Sequence, residues 1–204
     1  MNATLHTEDG NTLEAIIDEP EAPIGTVVLC HPHPLHGGTM RAPLLASVGN
    51  LALDTGYRVV RFNFRGVGAS TGKFGDGIDE MGDISAAMAF ATGFPEPVLG
   101  ICGWSFGAAT ALRWQAHTAS SVPYVGIAPP VTSPLTPPLP DPAALAPAKR
   151  RFIIGERDQF VEPATLAGYA ASIGAEFFEH SATDHFFIFR YDRLAHGVID
   201  GFGR

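Results

Sequence analysis

Cysteine is nearly absent: only Cys30 and Cys102 occur among 204 residues, and each lies in a short apolar run. Neither stands in a C-x-x-C or zinc-type spacing, which excludes a disulfide framework and a structural zinc site. Two small buried thiols in a reducing compartment are expected instead. Basic residues are also scarce, 13 Lys and Arg against 21 Asp and Glu, for a formal net charge of −8. Such a surface does not suit nucleic acid, whose phosphates must be neutralised by cations, or an anionic membrane. No stretch approaches the ~20 apolar residues of a membrane span. The opening MNATLHTEDGNTLEA has no basic n-region followed by an apolar core, so no signal peptide is expected. The expected protein is cytoplasmic, with no nucleic-acid or membrane partner. Repeats and low-complexity tracts are missing as well. The 46% hydrophobic content fits a packed globule, here one domain over residues 1–204.

What is present is a regular alternation. Residues 3–8 and 12–18 alternate about the turn Asp9-Gly10-Asn11 and predict a hairpin. Continuous apolar runs at 26–30, 57–64, 97–104, 122–128, 149–156 and 175–180 have the pattern of strands covered on both faces. Helical patterns fall between and after them, at about 42–55, 78–92, 106–118, 163–173 and 186–199. Strand and helix in alternation predict βαβ units, hence an α/β fold with a mostly parallel sheet and helices on both faces. The Pro-rich stretch 129–147 interrupts the series and is expected to form an ordered surface loop or short lid, with one helical turn near 141–146.

In such sheets ligands bind beyond the carboxyl ends of the strands. The residues found there are His31-Pro32-His33, Arg65-Gly66, Ser105, Pro129-Pro130, Asp158 and His185. Ser105 sits in Gly103-Trp104-Ser105-Phe106-Gly107, where a strand pattern becomes a helix pattern. Glycines on either side permit a turn tight enough to expose the hydroxyl as a nucleophile. A serine hydroxyl attacks only when a histidine accepts its proton, and a carboxylate fixes that histidine's tautomer. Asp158 and His185 follow in the required order, with Glu156 as the reserve acid. The oxyanion of an acyl-transfer intermediate needs two backbone N–H donors. Phe106 supplies one; His33, between two prolines that have no N–H, is the expected second.

The blocks HPHPLHGGTM (31–40), FNFRGVGASTG (62–72), GWSFGA, GERD and DHFF resemble a family of small bacterial α/β hydrolases related to dienelactone hydrolases and serine esterases. The resemblance spans nearly the whole chain. It implies a sheet of eight strands, a triad Ser105–Asp158–His185, and oxyanion donors at Phe106 and in the HPHP loop; from the mechanism, the expected substrate is a small-molecule acyl ester. Many α/β hydrolases carry a helical cap where this chain has only the Pro-rich loop, which leads to the expectation of an open site without a substantial cap domain.

Other readings compete. His31-x-His33 after a strand is also a metal-ligand spacing, and His185 and Asp158 could complete such a set. A serine mechanism needs no metal and no cofactor, and none is expected; hydrogen bonding within the loop is the preferred role for the His31 and His36 side chains. Arg65 is expected to tie the glycine-rich loop to Asp79, Glu80 or Asp83, which themselves suit the start of a helix. Phe186, Phe187 and Phe189 are expected to pack the last helix into the core. Trp104 packs, or borders an acyl pocket, and His180 and His196 are given no catalytic role. The principal alternative to a serine esterase, thioesterase or lactone hydrolase is a catalytically silent binding protein of the same fold.

Overall fold

The computed structural model describes residues 1–203. Eight strands form one sheet: β1 (Asn2–His6), β2 (Thr12–Asp18), β3 (Gly25–Cys30), β4 (Tyr57–Phe62), β5 (Val98–Trp104), β6 (Tyr124–Ile127), β7 (Arg150–Gly155) and β8 (Glu176–His180). Their spatial order is β1-β2-β4-β3-β5-β6-β7-β8. β1 and β2 run antiparallel as the opening hairpin, β2 joins β4 antiparallel, and every later pairing is parallel. Five helices follow the expected alternation: α1 (Pro43–Asp54), α2 (Glu80–Thr92), α3 (Phe106–Thr118), α4 (Pro163–Ser172) and α5 (Tyr191–Gly201).

The continuous apolar runs are explained by burial on both faces. Val28, Cys30, Val60, Phe62 and Ile101 pack into a core with α2, α3 and α4. Their neighbours Val27, Leu29, Val59 and Cys102 point the other way, into a core with α1 and α5. With a strand period of two, each run supplies both layers. Burying one Val, Leu, Ile or Phe side chain contributes roughly 1.5–3 kcal/mol, so the central strands cannot slip in register without exposing both cores. Both cysteines are buried free thiols. No described helix is long and apolar enough to cross a membrane.

The last helix departs from expectation. It starts at Tyr191, and residues 186–190 form turns, with positive φ at Phe187 (53°) and Phe189 (62°). Phe187 is fully buried in the α1/α5 core, which extends the apolar periodicity ahead of the helix that it precedes. Phe186 and Phe189 are not core residues at all: they are 39% and 91% exposed. The Pro-rich segment forms a short 3-10 turn at Pro142–Ala144 and a bridge between Ser133 and Thr136.

Arg65 has the expected structural role. Its Nε and Nη2 donate to Asp83 Oδ1 at 3.0 and 2.8 Å, its main-chain N–H donates to Asp83 Oδ2 at 2.8 Å, and Nη1 donates to Asp9 at 2.9 Å. Asp79 stands at the helix N-cap position without making a side-chain cap bond. Glu80 instead reaches back, accepting N–H bonds from Gly75 and Gly77, both at 2.8 Å. Burial raises the Glu80 and Asp83 carboxyls above the usual carboxylate range, a cost offset by these donors. Because both Arg65 and Asp83 are shielded from water, removing one leaves the other as an uncompensated buried charge. Arg65→Met is expected to lower the unfolding free energy by about 3–5 kcal/mol, read from urea unfolding. A loss below about 1 kcal/mol would mean that the pair behaves as a surface contact.

Candidate active site

The parallel strands bring the ends of β3, β5, β6 and β7 to one edge of the sheet, where the chain turns into loops and helix starts. At the end of β5, Ser105 has φ 53° and ψ −115°, a conformation that costs a non-glycine residue about 1–3 kcal/mol. It is held on both sides: the Ser105 N–H donates to Ile127 O at 2.7 Å, and its carbonyl accepts from Ala109 N–H at 3.0 Å. A Cβ at position 103 would collide with the backbone of Gly107 and Ala108, and one at position 107 with the carbonyls of Cys30 and His31. Side chains are therefore excluded on both sides of the turn. Ser105 is left half-exposed at the head of α3, where unpaired helix N–H groups and the helix dipole favour negative charge.

Past the end of β7, the Asp158 side chain is out of contact with water, and its Oδ2 lies 2.7 Å from His185 Nδ1. The other carboxylate oxygen, Oδ1, accepts N–H bonds from Phe160 and Val161, both at 2.9 Å. His185 stands in the loop after β8, which is pinned to the end of β7 by Glu156 N–H to His180 O and Arg157 N–H to Thr183 O, both at 2.9 Å. Glu156, the reserve acid, is turned to structural use and accepts the Ala182 N–H at 2.6 Å. With Nδ1 on Asp158, the nitrogen of His185 left for other work is Nε2. Ser105 and His185 line the same cleft of about 900 Å³. Among the described residues no hydrogen bond joins them; such bonds often close only when substrate is bound.

The loop 31–40 forms one side of this cleft. His31 is fully buried: its Nδ1 lies 2.6 Å from Pro32 O, and its Nε2 accepts the Phe64 N–H at 3.0 Å. Burial pulls it down to about 4, so the ring is neutral and ties the end of β3 to the end of β4. Both ring nitrogens are occupied, so His31 has no lone pair to offer the metal set that its spacing suggested. The main-chain N–H of His33 makes no hydrogen bond among the described residues, and its ring lies against that of Phe106, centroids 5.0 Å apart. Gly38 closes the loop so tightly that a Cβ there would strike Pro32 O.

A sequence model of the alpha/beta hydrolase family matches residues 27–199. The chain belongs to the alpha/beta hydrolase family. Among its relatives is an uncharacterised protein of Rickettsia prowazekii (strain Madrid E), 30% identical over 189 residues, covering 89% of this chain and 79% of the relative. An alpha-beta serine hydrolase homologue from Coxiella burnetii superposes with a TM-score of 0.85 at 27% identity, covering 98% of this chain and 96% of that one. An α/β serine hydrolase without lid from Xanthomonas campestris gives 0.84 at 29% identity, covering 98% and 92%. Here, too, no cap domain follows β6. Pro130 and residues 132–136 of the Pro-rich segment form a wall of the cleft and leave Ser105 accessible.

Phe160 of this alpha/beta hydrolase site escaped the sequence and Phe186 was expected in the core, while Trp104, expected to pack or to border an acyl pocket, does both. Trp104, buried beside the elbow, both lines the cleft and donates its Nε1–H to His185 O at 3.2 Å, fixing the histidine loop. Phe160, exposed elsewhere, sets its ring edge-on to His185 at 5.0 Å, and Phe186 lies 5.7 Å away. The aromatic character of this loop was visible in the sequence; its turning outward to line the cleft was not. His180 is buried, its ring against that of Phe187. If the Asp158–His185 pair serves proton transfer, Asp158→Asn should cut turnover of an aryl ester about 10⁴-fold through the wrong imidazole tautomer. Glu156→Gln should leave turnover within a few-fold of wild type. The reverse order, measured by steady-state kinetics, would reassign the acid.

Proposed function

We propose that the protein is a serine hydrolase that cleaves an uncharged carboxylic ester, thioester or lactone of small-molecule size. The observation that carries this reading is the placement of Ser105, on a strained turn at a helix start, in the same apolar cleft as a histidine already oriented by a buried carboxylate. Ser105 Oγ attacks the substrate carbonyl while His185 Nε2 takes its proton; Asp158 stabilises the resulting imidazolium. The Phe106 and His33 N–H groups receive the oxyanion. Collapse of the tetrahedral intermediate breaks the bond to the alcohol or thiol, which takes the proton from His185 and departs (or, from a lactone, stays on the acyl chain as a hydroxyl), leaving an acyl-enzyme. Water, deprotonated by His185, attacks that acyl group; the second collapse releases the acid and restores the Ser105 hydroxyl.

The cleft supports an apolar acyl or leaving group. Trp104, Phe106, Pro130, Leu135, Phe160 and Phe186 contribute to its wall. The Xanthomonas neighbour is a serine hydrolase without lid, and an uncapped site here favours varied substrates over one tightly enclosed molecule. Two buried free thiols suit a cytoplasmic setting.

Labelling with a fluorophosphonate tests the reading without knowledge of the substrate. The wild-type protein is expected to label at one site and Ser105→Ala not at all. Hydrolysis of p-nitrophenyl esters should rise with acyl length until the chain fills the cleft, and fall on the order of 10⁶-fold in Ser105→Ala. Folded wild-type protein that neither labels nor turns over any ester would favour the binding-protein alternative.

A further inference from the structure

The His33 side chain makes two contacts that together admit one protonation state. His33 caps the 3-10 turn Pro34–His36, its Nδ1 accepting the Leu35 N–H at 3.2 Å. Its Nε2 lies 3.3 Å from Leu135 O, across the cleft mouth in the Pro-rich segment. An acceptor at Nδ1 and a carbonyl at Nε2 require the neutral ring protonated at Nε2, which donates to Leu135. The other neutral tautomer loses both bonds. The imidazolium keeps the Leu135 contact but turns an N–H against the N–H of Leu35.

The contacts matter because of what they join. The His33 carbonyl accepts from the N–H groups of His36 and Gly38, both at 3.1 Å, while its own N–H makes no hydrogen bond among the described residues. Its ring packs on Phe106, whose N–H is the other donor. Leu135 in turn lies on a held segment: Arg113 of α3, half-buried, donates to Pro137 O at 2.8 Å and to Thr136 Oγ1 at 3.1 Å, and to Gly77 O at 3.1 Å in the glycine-rich loop. The Leu135 N–H donates to Ser133 Oγ at 3.0 Å. The imidazole thus meets α3, the oxyanion loop and the Pro-rich segment at once.

We propose that the His33 imidazole is a positioning residue: in its neutral, Nε2-protonated form it holds the second oxyanion donor in register with the first, and protonation of the ring releases it. The inference rests on the reading of Ser105 as nucleophile and of the Phe106 and His33 N–H groups as oxyanion donors. Burial holds His33 below the ordinary histidine range, so release occurs on acidification. The titratable and charged groups around it are His31, buried two residues before it and neutral, His36, edge-on at 4.7 Å, Arg41 and His185 in the cleft, and Asp76 in the adjoining groove. The Leu135 segment and the facing rings of Phe74 and Phe106 bring no charge. Two histidines must therefore be neutral for the full rate, His185 to accept a proton and His33 to hold the loop.

The test is the fluorophosphonate labelling rate against pH for wild type, His33→Ala and His33→Asn. Asparagine keeps an N-cap acceptor for Leu35 and does not titrate. Wild type is expected to lose rate on the acid side with a slope that steepens from one toward two over the roughly one to two pH units in which His33 is released, and His33→Asn with a slope of about one throughout, as each required deprotonation adds one. At neutral pH His33→Ala should label about 10- to 100-fold more slowly, short of the 10²–10³-fold of deleting a donor outright, and His33→Asn should recover most of that loss. Should His33→Ala fail to fold, ¹⁵N-histidine NMR of the wild type decides: the expected His33 signal is the neutral Nε2–H form, and an Nδ1–H or charged ring at neutral pH overturns the proposal. Equal labelling rates and equal slopes in all three proteins also overturn it while leaving the serine hydrolase intact. A wild type that does not label removes the hydrolase reading and this one with it.

Discussion

Ser105 can stand where it does only because positions 103 and 107 carry no side chains. The turn after β5 brings the backbone of the strand, the start of α3 and the end of β3 within van der Waals contact, and a Cβ on either glycine would overlap main-chain atoms. That crowding allows a serine to be held at φ 53°, with its N–H on Ile127 and its carbonyl on Ala109, so that the surrounding sheet and helix offset the strain. Every other part of the site is arranged around this point. The Phe106 N–H is available because Phe106 opens α3. The HPHP loop lies close enough to contribute because Gly107 lets α3 approach the ends of Cys30 and His31.

The remaining groups are brought in by pinning loops rather than by regular structure. Asp158 is immobilised by two main-chain N–H bonds to one oxygen, which leaves the other for His185. His185 is fixed at its carbonyl by Trp104 and through its loop by bonds to the end of β7. Its side chain is 6% exposed, so a charge forming there would be sheltered from solvent and would depend on the carboxylate. The cleft itself stays open along the Pro-rich segment, which contributes a wall where a cap domain would stand. A polar machinery held by hydrogen bonds thus faces an apolar, accessible space.

The architecture was legible in the sequence wherever burial is two-sided. Val27 to Cys30 and Phe152 to Ile154 read as core strands because both their faces meet helices. Helix α3 agreed with its pattern at both ends, since the strand pattern stops at Trp104 and Ala119 ends the helix with φ 51°. Ser105, Asp158 and His185 stood out because parallel strands gather their carboxyl ends on one edge. Sequence distance says nothing of contacts made across the fold. Phe187 mimics helical periodicity by packing beside α5 while lying outside it, and Phe186 and Phe189 turn outward from that same loop. Glu80 resembles a helix-start carboxylate, yet it serves the glycine loop before the helix. The side chain of His33 reads as a loop histidine, and its partner lies 102 residues away in a segment without regular structure.

The central claim is convergence: a hydroxyl, an imidazole and two main-chain donors surround one reacting atom. A crystal structure of the protein after reaction with a small phosphonate ester measures this directly. Phosphorus is expected on Ser105 Oγ, with the phosphonyl oxygen about 2.7–3.1 Å from the N–H nitrogens of both Phe106 and His33 and His185 Nε2 within hydrogen-bonding distance of Ser105 Oγ. An adduct whose oxygen faces solvent, with the His185 ring turned away from Ser105, would contradict the account.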